Sequence, residues 1–170
     1  MTTTSHEHLM HWLRDAHAME EQAEDMLAKT ASRVADDSPE FASRLRDHAS
    51  VSKVQAQHLR ECIARLGGDT SALKDLAAKA VGTAQALSGL FTSDEVVKAA
   101  LAVYTFDHME IGSYRSLMAA AQVAGDPDTL RMCELHLAQE QEMALWMESL
   151  LPGLTQRFLR QSDLQAQSGA

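Results

Sequence analysis

Apolar positions along this chain recur at steps of three and four, the spacing of a helix that buries one face. In the first stretch Leu9, Leu13, Ala16, Glu20, Ala23, Leu27 and Val34 share a stripe. Thr4 and Glu7 form a capping-box pair ahead of it, so helix one is expected from about Ser5 to Ala35. After Asp36 and Asp37, Ser38 reads as an N-cap with Pro39 in the first turn, and helix two runs to Leu66 before Gly67 and Gly68. Its stripe is Phe41, Leu45, His48, Ser52, Gln55, Leu59, Cys62 and Leu66. Thr92 and Glu95 form a second capping pair, and helix three is expected to run from there to Ala124, ahead of Gly125. Its stripe is Ala100, Val103, Asp107, Glu110, Tyr114, Leu117 and Ala121. Asp126 caps helix four with Pro127 behind it, and Leu130, Cys133, Leu137, Glu140, Ala144, Met147 and Leu151 line one face. Pro152 and Gly153 are expected to end it, leaving a tail over 153–170 with room for a short helix, LTQRFLRQ.

The short turns near Asp36 and Gly125 make two antiparallel helix pairs. Between them, Asp69 to Thr92 is rich in small residues and is expected to hold one weak helix over Ser71 to Leu87. A connection of that length suits a crossover from one end of a bundle to the other, over about residues 67–93. The expected architecture is therefore all-α: one four-helix domain over 1–152 and a tail.

Each stripe is broken by a polar residue near its middle. Two antiparallel helices place residues equally distant from their turn at one height, so Glu20 lies opposite Ser52 and within about one turn of His48 and Gln55. By the same count Glu140 lies opposite Glu110 and Ile111, with Asp107 one turn away. An ionised carboxylate buried without compensation costs several kcal/mol, so a shared layer of acids calls for a cation or a hydrogen-bond network. Glu20, Asp107, Glu110 and Glu140, with His48 and Gln55 beside them, supply the hard oxygen donors and the imidazole that iron or manganese accepts. His136, one turn before Glu140, is placed to support it, but is expected at an edge of the bundle. His6, His8, His11 and His17 are expected on a solvated face, and the methionines, Met10, Met26, Met118, Met143 and Met147 among them, in the core.

Composition narrows the picture further. The net charge of −9, without a dense Lys/Arg block, gives no footprint for nucleic acid. No apolar run spans a bilayer and no basic leader precedes the first helix. Cys62 and Cys133 sit at seam positions and read as small buried residues, which suits a reducing cytoplasm.

The segments LRDAHAMEEQ (Leu13 to Gln22), HASVSKVQAQHLRECIARLG (His48 to Gly67), DHMEIGSYRSL (Asp107 to Leu117) and LAQEQEMALWMESL (Leu137 to Leu150) resemble, in order and spacing, the ferritin-like stress-associated YciE/YciF family. The resemblance implies a ferritin-like four-helix bundle, a homodimer and a carboxylate-bridged di-iron centre. It matches Glu20, Asp107, Glu110 and Glu140 to the family's acids. It also implies an acid three residues after His48, where this chain has Val51. Two readings follow: a bundle that binds iron or manganese and oxidises it with oxygen or peroxide, His48 or Tyr114 passing protons or electrons, or a single-metal or metal-free stress protein that acts by association.

Overall fold

The computed structural model describes residues 4–70 and 96–168. Four helices account for nearly all of them: α1 (Ser5–Val34), α2 (Pro39–Arg65), α3 (Val96–Ala124) and α4 (Pro127–Ser168). The expected weak helix over Ser71 to Leu87 and the Thr92–Glu95 capping pair fall outside the described residues.

Local chemistry sets most of the helix ends. The Thr4 hydroxyl accepts from the Glu7 amide at 3.3 Å while the Glu7 carboxylate accepts from the Thr4 amide at 2.6 Å, so both partners of the capping box are present. Gly67 (φ 79°) and Gly125 (φ 70°) take the left-handed conformation that ends a helix. In each case the next amide reaches back across the last turn, Gly68 to the Ile63 carbonyl at 2.9 Å and Asp126 to the Ala121 carbonyl at 2.9 Å. Ser38 occupies the cap position of α2 as expected, but its side chain makes no capping bond.

Pro152 does not end α4, which runs through it to Ser168. An interior proline loses one backbone bond and crowds the preceding turn, at about 3 kcal/mol. What lies beyond outweighs this: Leu154 is 2 % exposed and Phe158 packs against the core. Gly153 stays out of the left-handed region, and the Thr155 hydroxyl donates to the Leu151 carbonyl at 2.8 Å.

α1 packs on α2 and α3, and α4 packs on α3 and α2. Contacts between α2 and α4 run in opposite senses, from Arg44–Glu142 through His48–Glu140 to Arg65–Asp126. The last pair ties the end of α2 to the α3–α4 turn, so α3 begins at the far end of the bundle, the crossover order of a ferritin-like fold. Leu9, Leu13, Phe41, Leu45, Tyr114 and Met147 are among the fully buried side chains that fill the interior. Among the described residues no helix is long and apolar enough to cross a membrane.

Candidate metal centre

Midway along the bundle the apolar core gives way to carboxyl groups. Glu20 comes from α1, His48 and Gln55 from α2, Asp107 and Glu110 from α3, and Glu140 from α4; none is more than 6 % exposed. Each occupies the core-facing stripe of its own helix, and the antiparallel pairing brings the stripes to one level.

Four of the six converge closely. One donor atom from each of His48, Asp107, Glu110 and Glu140 lies within 4.8 Å of the others. Glu140 is held from two sides: Gln55 Nε2 donates to Oε1 at 2.6 Å, and His48 Nε2 lies 3.0 Å from Oε2. Gln55 also donates to Gln139 Oε1 at 3.1 Å, and so acts as the brace of this group. Asp107 Oδ2 and Glu110 Oε1 are buried without a hydrogen-bond partner among the described residues.

Glu20 has a different neighbour. The Tyr114 hydroxyl donates to its Oε1 at 2.5 Å, and His136 Nδ1 lies 3.1 Å from that same hydroxyl. Because the tyrosine proton points at Glu20, the hydroxyl oxygen accepts from His136 Nδ1–H. His136 Nε2 is then the acceptor for His58 Nδ1–H, 3.1 Å away, with the two rings stacked. Glu20 Oε2, like Asp107 Oδ2 and Glu110 Oε1, is buried without a hydrogen-bond partner among the described residues.

The electrostatics of the layer follow from its dryness. Burial pushes Glu20 and Glu110 well above the ordinary carboxylate range, and neighbouring carboxylates push in the same direction. Burial also raises Asp107 to about 7, against the opposing pull of His48 and with the help of Glu140. Tyr114 is raised by burial and by Glu20, while His136 is pushed down to about 4 by burial and then by His58. The layer thus gathers more acid than its imidazoles can balance. Orphaned hard oxygens beside a histidine nitrogen in a dry pocket form a donor set that could hold a metal ion.

Two histidines lie where the sequence did not put them. His136 is fully buried inside the Tyr114–His58 network and not at an edge. His17 is 4 % exposed, unlike the solvated His6, His8 and His11, because it follows Leu13 by four residues and precedes Glu20 by three on the inward stripe. His58 went unnoticed; its place three residues after Gln55 was the available signal. Cys62 and Cys133 are free and buried as expected, with burial raising the Cys133 thiol to about 12.

Residues 4–160 match the model of a protein family described as a domain of unknown function, DUF892. The chain belongs to this family. Among solved structures, protein XCC3681 of Xanthomonas campestris pv. campestris is 33 % identical, with a TM-score of 0.78 over 94 % of this chain and 98 % of that one. YcfI of Rhodopseudomonas palustris, described as a candidate structural protein, is 23 % identical, with a TM-score of 0.67 over 86 % and 94 % of the two chains. The second likeness concerns the fold alone.

Proposed function

We propose that this protein is a ferritin-like metal-binding bundle in which His48, Asp107, Glu110 and Glu140 hold iron or manganese. The observation that carries this is the convergence of four buried donors from three helices within 4.8 Å, two of them presenting oxygens without a partner among the described residues. Their membership of the DUF892 family is consistent with the YciE/YciF likeness, which adds a homodimer and a role in stress response to the same reading.

A bound iron or manganese supplies one-electron chemistry with oxygen or peroxide. The protein's own contribution is to hold the donors. Gln55 fixes one oxygen of Glu140 and His48 meets the other. Buried side chains above and below the layer keep water away from it, which strengthens every charge interaction inside. Glu20 stands beside Glu110, and the Tyr114 hydroxyl holds it there by donating to its Oε1.

Anaerobic titration with Fe(II) or Mn(II), followed by elemental analysis and thermal melting, tests the reading. Bound metal, and a melting temperature lowered by a chelator, are expected, since an ion that binds only the folded state stabilises it by mass action. No bound metal and an unchanged melting curve would instead favour a metal-free bundle that acts by association. The doubly satisfied Glu140 and the apolar Val51 are the observations in favour of that second reading.

A further inference from the structure

Cys62 on α2 and Cys133 on α4 stand on facing turns of one seam. Gln55 and Glu140 touch across that seam at 2.6 Å, and seven residues on along α2 and seven back along α4, two turns of each helix, lead from that pair to Cys62 and Cys133. Cys62 Sγ lies 2.8 Å from the hydroxyl of Thr129, which is one turn before Cys133. The contacting sulfur and oxygen are each a single bond beyond Cβ, so the two backbones approach closely at this height. Cys133 also feels Cys62 directly: after burial, the charge of Cys62 is the largest influence raising its thiol. The two sulfurs differ in access. Cys62 is 7 % exposed and lines an open groove with His58, Arg65 and Met132, where the Arg65 guanidinium donates to its sulfur at 3.5 Å. Cys133 is fully buried.

We propose that these two thiols are a redox pair, in which hydrogen peroxide entering the groove oxidises Cys62 and Cys133 converts the product into a disulfide between α2 and α4. In the first step the Cys62 sulfur attacks one peroxide oxygen; the O–O bond breaks, the other oxygen leaves as water with the thiol proton, and Cys62 carries a sulfenic acid. In the second step the Cys133 sulfur attacks that of Cys62; the S–O bond breaks, and the hydroxyl leaves as water with the Cys133 proton. Two thiols and one peroxide thus give one disulfide and two waters. Arg65 supplies a counter-charge to the attacking sulfur in the groove. Cys133 is closed to solvent, so the electrophile within its reach is the oxidised sulfur of Cys62. The pair lies two helical turns from Gln55 and Glu140, and its chemistry is independent of any metal held in the acid layer.

Hydrogen peroxide treatment of the full, reduced chain in the presence of chelator, followed by alkylation in denaturant and peptide mapping, tests the pairing. Both thiols should be lost to alkylation together, in a linked peptide that joins Cys62 to Cys133, and dithiothreitol should restore both. Cys133→Ala should stop the reaction at a sulfenic acid on Cys62 that dimedone traps, and Cys62→Ala should leave Cys133 reduced under the same treatment. Sulfinic acid on Cys62 with Cys133 still free, a disulfide joining Cys62 of two chains, or two unchanged thiols would each overturn the proposal. Oxidation of Cys133 in Cys62→Ala would overturn it as well. If either variant fails to fold, the wild-type peptide map decides by itself.

Discussion

Gln55 Nε2 donates to Glu140 Oε1 across 2.6 Å, and it is the neutral donor that fixes the one carboxylate α4 contributes to the layer. Gln55 is 1 % exposed, so water does not replace it when it is removed.

Gln55→Leu keeps the volume and deletes the donor. Leaving a buried carboxylate oxygen bare should cost the metal-free protein about 1–3 kcal/mol, read as a lower urea midpoint. Freed from its brace, Glu140 should also bind metal about 10–100-fold more weakly. Unchanged stability together with unchanged affinity would show that the bond orients nothing.

The fold was legible where local chemistry decides and obscure where distant contacts do. Thr4 with Glu7, Gly67 and Gly125 each mark a helix end within a few residues, and the structure puts the ends there. The mid-bundle layer was legible because an acid on an apolar stripe is expensive, and because a short turn fixes the height of its partner. Glu20, Asp107, Glu110 and Glu140 declared themselves in that way. Tyr114 stood out as a residue placed to pass protons or electrons, but its partners did not, since the stripe does not show that its hydroxyl meets Glu20 and His136. The histidines were ambiguous for the same reason: an imidazole tolerates both water and burial, so His17, His58 and His136 carry no sign of their side.

Pro152 shows the limit of a local rule. It is exposed and sits inside α4, so Pro152→Ala loses no core packing and regains a backbone donor. The substitution should stabilise the protein by about 1–3 kcal/mol, somewhat less than the full interior penalty because proline also restricts the unfolded chain. A urea denaturation comparison measures it, and a destabilised variant would mean that the proline shapes the packing of Leu154 and Phe158.

Cys133 should be inert while the chain is folded. It is fully buried and its thiol is raised to about 12, so almost no thiolate forms at neutral pH. Alkylation with mass-spectrometric mapping should leave Cys133 unmodified in native protein and label it in denaturant; rapid native labelling would mean that the α3–α4 end of the bundle opens.

His136 gives the bundle an acid-sensitive point that is separate from its carboxyl layer. Its ordinary value of 6.5 is pushed down to about 4, first by burial and then by His58, against a smaller opposite pull from Glu140. The unfolded chain therefore takes up the proton more readily than the folded one. The stabilisation from keeping this ring neutral is complete above about 6.5, declines as pH falls, and is gone below about 4. The gap between the two values corresponds to about 3 kcal/mol. The carboxyl groups respond in the opposite sense, since their raised values favour the folded state at low pH, so the wild-type curve alone mixes the two. Subtracting the curve of His136→Gln isolates the ring. In the presence of chelator, the stability advantage of wild type over His136→Gln should shrink by about 3 kcal/mol between pH 7 and pH 4. An advantage that stays constant across that range would mean that the folded chain does not hold the ring neutral, its imidazole taking up a proton as readily as in the unfolded chain.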